Sequence, residues 1–174
     1  MRIRCELHID GGHRKLVLAS GPSEPDEHLA LKLAALALFW QYEPTVDPSA
    51  KTPALDDYEF FPDLMGLDEA GEIRLWVECD TVTMNKMEKL TRRLPRARVV
   101  VLKTNEREAA RLRSDLKQQI GREAKIEILA FAGQGFKDWC AALGERTELV
   151  GESAELSINL VVNEKPFIAE LLKF

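Results

Sequence analysis

Cysteine is scarce, and the three present, Cys5, Cys79 and Cys140, lie too far apart for any Cys-x-x-Cys spacing. That excludes a zinc knuckle and a disulfide framework and leaves reduced, mostly buried thiols. Long apolar runs are missing as well. The longest, Leu29 to Trp40, contains Lys32 and falls well short of the roughly twenty residues that a bilayer requires. The first residues alternate polar and apolar, without a continuous apolar stretch ending in a small-residue cleavage site, so a cytoplasmic location is the expectation. There is no excess of cations either: the formal net charge is −5. A general polyanion binder is typically basic, so this balance argues against one.

What is present suits one folded unit. The chain has 174 residues, 45% of them hydrophobic and 30% charged, which predicts a single domain over 1–174 with a sizeable core. The charge is strongly partitioned. Residues 21–80 carry fourteen acids against three cations, whereas 81–125 carry thirteen cations against five acids. The densest basic stretch, Asn85 to Arg98, contains Lys86, Lys89, Arg92, Arg93, Arg96 and Arg98 against Glu88 alone. A run of this kind either tracks a phosphate backbone, with Lys89, Arg92, Arg93 and Arg96 as contacts, or forms a solvated helix face whose cations pair with the acidic half.

The pattern along the chain predicts a mixed α/β fold. Residues 2–9 and 14–19 flank Asp10-Gly-Gly-His13, the turn chemistry of a hairpin. Gly21 to Glu27 reads as a helix start with Ser23 as N-cap and acids in the first turn. The following Leu29 to Trp40 is apolar on nearly every face, which marks a buried central helix. After a proline-bearing loop over 43–57, Tyr58–Leu67 and Glu72–Asp80 form strands joined by Asp68-Glu-Ala-Gly71. A helix over Val82–Leu94, a strand over Ala97–Lys103, a helix capped by Asn105, a strand over Lys125–Phe131 and a short helix over Gly135–Leu143 imply a parallel part of the sheet. Hairpin strands over Ala154–Val162 and Pro166–Phe174 end the chain. The terminal hairpins, within 1–20 and 154–174, are expected to pair as a small additional sheet.

Two carboxylates stand out. If Asp68 pairs with Gly71, Asp63 lies opposite Trp76, and Glu78 is its diagonal neighbour on the same face, within reach of one metal ion. Hard divalent ions such as magnesium take oxygen ligands of this type. His8, His13 and His28 have no ligand spacing along the chain and read as solvated. Phe131-Ala-Gly-Gln-Gly-Phe136 reads as a helix-entry loop, and Trp76 as core packing rather than a platform for a base.

Pro62-Asp63, followed after fourteen residues by Glu78 on the next strand, resembles the PD-(D/E)xK nuclease superfamily, whose core runs helix, three strands, helix, strand. More specifically, the sequence is similar to the YaeQ family of bacterial proteins. The matching pieces are Pro22-Ser-Glu24 with Glu27 and Lys32, then Pro62-Asp63, then Leu75-Trp-Val-Glu78 followed by a basic helix with Lys86 and Lys89. The resemblance implies a restriction-endonuclease-like core in which Asp63 and Glu78 bind Mg2+ or Mn2+ and Glu27 is directed toward the site. The superfamily lysine, two residues after the strand glutamate, is Asp80 here. The resemblance implies that Lys86 replaces it from the next helix. The activity implied is metal-dependent cleavage of nucleic acid. The alternative is a catalytically inactive member that binds a protein or nucleic-acid partner, its pocket closed by lysine ion pairs. No membrane partner is expected.

Overall fold

The computed structural model describes residues 2–121 and 125–174. Its frame is a ten-stranded mixed sheet in the spatial order β2-β1-β8-β9-β10-β7-β6-β5-β4-β3. The first hairpin joins β1 (Arg2–Ile9) to β2 (Gly12–Ala19) through Asp10 and Gly11, both at positive φ, as a two-residue hairpin turn requires. Ile3, Cys5, Leu7 and Ile9 point inward, and the alternate residues face solvent.

Helix α1 (Asp26–Leu38) buries ten consecutive residues, Leu29 to Leu38, and forms the middle of the larger core. It starts later than expected and has no side-chain cap, Pro25 standing at the N-cap. Glu24, expected within the capping turn, instead gives one carboxylate oxygen to Lys32 at 2.6 Å and the other to the Gly21 amide at 2.9 Å. A single-turn 3-10 helix, Trp40–Tyr42, follows α1.

The strand expected over Tyr58–Leu67 is short: after β3 (Thr45–Val46), β4 covers Leu64–Leu67 only. Pro62 offers no amide for a ladder, and Tyr58 and Phe60 pack over the second core instead. Strand β5 (Ile73–Cys79) is antiparallel to β4 and parallel to β6 (Arg98–Lys103), which is parallel to β7 (Ile126–Phe131). Helices α2 (Met84–Arg93) and α3 (Glu106–Gln119) cover one face of this part, while α1 and α4 (Gly135–Ala142) cover the other. Asn105 caps α3 as expected, accepting from the Glu108 amide at 3.0 Å. Trp139 of α4 donates to the Ala30 carbonyl at 2.8 Å and so ties α4 to α1.

The terminal hairpins do not meet directly. Strand β8 (Arg146–Glu152) lies between them, parallel to β1 and antiparallel to β9 (Ser157–Val162). Strand β10 (Lys165–Lys173) pairs with both β9 and β7, which makes the sheet continuous. All three cysteines are free, and burial raises their pKa values, to about 12 for Cys5 and about 11 for Cys140. Among the described residues, no helix is long and apolar enough to cross a membrane.

Candidate functional site

The site lies at the carboxyl ends of β5 and β6, where parallel strands leave room for a ligand. The β4–β5 register differs from the expected one: Met65, not Asp63, faces Trp76. The turn is one residue longer than expected, with Asp68 N donating to Glu72 O at 2.9 Å, and the register shifts again by one residue between Gly66 and Leu67. Together these slips carry Asp63 one position past the last ladder pair, Leu64 with Val77, onto a bend beside the end of β5. There its Oδ2 accepts from the Cys79 amide at 2.7 Å.

His28 and Lys32, one turn apart on α1, converge on Asp63, and Glu24, just ahead of the helix, holds Lys32 from the other side. His28 Nε2 is 2.9 Å from Asp63 Oδ1, and Lys32 Nζ is 3.5 Å from the same oxygen, 2.6 Å from Glu24 and 2.7 Å from Asp47. His28, expected to be solvated, is thus a bonded member of the site. Burial disfavours the charged forms of all three central groups, but the pairing outweighs it. Asp63 is held below the ordinary carboxyl value, while His28 and Lys32 are raised above their own. A cleft of about 390 Å³ opens here, lined by Glu24, Glu27, His28, Lys32, Asp63 and Asp80 among others. Glu27 is exposed at its wall.

Glu78 occupies a separate setting. It is 4% exposed, and its Oε1 accepts from Trp76 Nε1 at 2.6 Å and lies 2.5 Å from Lys86 Nζ. Burial pushes the Glu78 carboxyl up and the negative charge of Asp63 adds to that push, so Lys86 and the indole offset it only in part. Lys86 also donates to the Phe61 carbonyl at 3.1 Å, next to the Pro62-Asp63 pair. Its place follows from α2, whose N-cap Thr83 accepts from the Lys86 amide and fixes the first turn. Among the described residues, neither Asp63 nor Glu78 belongs to a group of three histidine, cysteine or acidic ligands within 4.8 Å of one another.

A cation also stands beside Asp80. Lys103 of β6 donates to the Asp80 carbonyl at 2.5 Å and lies 3.6 Å from its carboxylate. Sequence reading missed Lys103, because its placement depends on the parallel pairing of β6 with β5. His28 was findable, since it stands four residues before Lys32 on one face of α1.

The basic stretch is largely engaged. Lys89 grips Glu59 at 2.8 Å and stands over Phe60, and Arg93 donates to the Asp57 carbonyl and stacks on Tyr58. Arg92 is exposed and 3.7 Å from Glu88. Arg96 is exposed on a groove that it shares with Arg74, Arg93, Asp57 and Glu72. Trp76 is fully buried. In the Phe131–Phe136 loop, the Gly133 amide donates to Glu106 at 3.1 Å, so a carboxylate already occupies that donor.

The fold and this site can be set beside known proteins. The family described as YaeQ protein matches residues 9–165. The solved YaeQ protein from Xanthomonas axonopodis pv. citri is 20% identical, with 99% of this chain and 96% of that one covered at a TM-score of 0.71. The YaeQ protein from Pseudomonas syringae is 15% identical, with 99% and 94% covered at a TM-score of 0.74. No curated protein matches the chain. The family match spans most of the sequence, the mixed sheet with its four helices is that of the solved members, and the chain belongs to the YaeQ family.

Proposed function

We propose that this protein hydrolyses phosphodiester bonds in nucleic acid with a divalent cation held by Asp63 and Glu78. The single observation that carries the reading is the contact between Lys86 and Glu78 beside Asp63. It supplies, from α2, the ammonium that a nuclease-like site needs and that Asp80 does not provide. The succession α1, β3, β4, β5, α2, β6 also supports it, since the order of elements agrees with the helix, three strands, helix and strand expected of a restriction-endonuclease-like core.

The donor set fits a hard ion. Both groups are carboxylates, Asp63 is held ionised, and Glu78 is under-compensated by its present partners, so added positive charge is favourable. A bound Mg2+ or Mn2+ supplies a water of lowered pKa and neutralises charge on the phosphate. The chain's own residues do the rest. Lys86, released from Glu78, orients the nucleophile and stabilises developing negative charge. His28 positions Asp63 through its hydrogen bond, and Glu27 at the cleft wall directs further negative charge toward the cation. Lys89, Arg92, Arg93 and Arg96, which lead along α2 away from the site to the amino ends of β5 and β6, offer charge to a phosphate backbone that continues in that direction.

A second reading is favoured by the closure of both carboxylates, Asp63 by His28 and Lys32 and Glu78 by Lys86. In it the protein is an inactive member of the fold that binds a protein or nucleic-acid partner. Calorimetric titration of Mn2+ into the wild type, Asp63→Asn and Glu78→Gln separates the two. Hydrolysis requires one site weakened in both variants, together with metal-dependent cleavage that Lys86→Met slows by about 10²–10³ while Mn2+ binding persists. Nucleic-acid affinity that falls with salt, ignores Asp63→Asn and comes without cleavage would establish the second reading.

A further inference from the structure

The three histidines have no ligand spacing along the chain, but folding creates one. The two-residue turn of the β1–β2 hairpin pairs His8 with His13 and Glu6 with Lys15. Glu6 and His8 are two apart on β1 and share its solvent-facing side, while Cys5, Leu7 and Ile9 hold the other side in the core. The imidazoles stack in parallel, 4.4 Å between centroids and 8° between planes. Both turn Nε2 to one oxygen, Glu6 Oε1, at 3.4 Å from His8 and 3.0 Å from His13. Glu148 of β8, the register partner of Glu6, brings its Oε1 within 3.8 Å of His8 Nε2. The ligand atoms of Glu6, His8 and His13 all lie within 4.8 Å of one another, and among the described residues this is the one such group.

We propose that Glu6, His8 and His13 form a binding site for a borderline transition-metal ion, zinc foremost, distinct from the carboxylate site at the end of β5. Two imidazole nitrogens and a carboxylate oxygen are the ligand types of Zn2+, Ni2+ and Cu2+, whereas Mg2+ prefers oxygen alone. With ligand distances near 2.0–2.1 Å, tetrahedral coordination sets donor atoms about 3.3 Å apart, close to the 3.4 Å and 3.0 Å that separate Glu6 Oε1 from His8 and His13. The backbone beneath is fixed, because β1 is hydrogen-bonded on both edges, to β2 and to β8. The three side chains are about half exposed, which leaves room for ring rotation toward a common ion and for a water or Glu148 as fourth ligand. The Lys15 ammonium, 3.1 Å from Glu6 and itself largely exposed, balances the carboxylate now and can swing out to solvent as the ion takes over that balance.

The test is calorimetric titration of Zn2+ into the full chain near neutral pH, with millimolar Mg2+ present to occupy carboxylate sites. One equivalent is expected, weakened by about tenfold or more in His8→Ala, His13→Ala and His13→Gln, and unchanged in Glu78→Gln. The substituted histidines are exposed, so melting temperatures near that of the wild type should accompany the loss. Absence of Zn2+ binding, or binding unaffected by the histidine substitutions, would overturn the proposal. A loss in Glu78→Gln alone would assign the zinc to the carboxylate site and overturn it equally. The proposal stands independently of phosphodiester hydrolysis.

Discussion

Lys86 holds its ammonium 2.5 Å from the Glu78 carboxylate, and the two side chains are 15% and 5% exposed, so the pair is withdrawn from water. Breaking such a pair leaves an uncompensated buried charge. Lys86→Met is therefore expected to cost about 3 kcal/mol in denaturant unfolding. Glu78→Gln in the same background should restore a large part of that loss, because the charge that needed compensation is gone. Equal stability of the single and double variants would mean that Glu78 does not depend on Lys86.

The pairing of His28 with Asp63 makes stability depend on pH from both sides. Burial works against the imidazolium, but the hydrogen bond and charge of Asp63 prevail, and His28 titrates above its ordinary 6.5. Burial likewise works against the carboxylate, yet His28, the Cys79 amide and Lys32 hold Asp63 below its ordinary 3.8. The raised imidazole contributes stability that is complete below 6.5 and lost as pH rises through its folded pKa. The depressed carboxyl contributes stability that is present above 3.8 and lost as pH falls through its folded pKa. The difference in melting temperature between the wild type and His28→Gln should thus be greatest between these two values and shrink beyond them. A difference that stays the same well below 3.8 and well above 6.5 would refute the linkage.

Gly66 sits where the β4–β5 register shifts. A Cβ there would stand 3.0 Å from both Cβ and the carbonyl oxygen of Tyr42 and 3.2 Å from Leu75 Cβ. Gly66→Ala should destabilise by about 1–3 kcal/mol through overpacking. The same register sets Asp63 at the end of β5, so Mn2+ affinity should fall with stability. Unfolding curves and the Mn2+ titration, run on the same preparation, check both. Unchanged affinity in a destabilised variant would detach the bulge from the site.

Much of the architecture was legible because burial follows simple periods. The Leu and Ala run of α1, the apolar runs of β6 and β7, and the Asn105 cap each state their place locally. The misses have physical causes. In β8 the inward position 147 is a threonine, 2% exposed, whose hydroxyl is satisfied by the Gly144 carbonyl at 3.0 Å; a polar residue on the inner face hides the alternation. The Asp63 register was misjudged because two one-residue slips, in the turn and at the bulge, leave no mark in hydrophobic pattern. Asp63, Glu78 and Lys86 were visible as candidates, whereas Lys103 and the partnership of His8 with His13 appear only once strands lie side by side. The histidine pair was within reach of the hairpin arithmetic that Asp10-Gly11 permits.

The parallel pairing of β1 with β8 aligns Arg4 with Arg146 and Ile9 with Gly151, so residues 10–145 must be made before this seam can close. During synthesis the first hairpin emerges with Ile3, Leu7 and Ile9 on one face and an unpaired β1 edge, and it waits for a strand that leaves the ribosome late. Ladders between such distant segments form slowly and leave sticky edges exposed meanwhile. The polar outer row of β1, Arg2, Arg4, Glu6 and His8, then serves a second purpose: it keeps the other face of the waiting ribbon wet and discourages pairing with a neighbouring nascent chain.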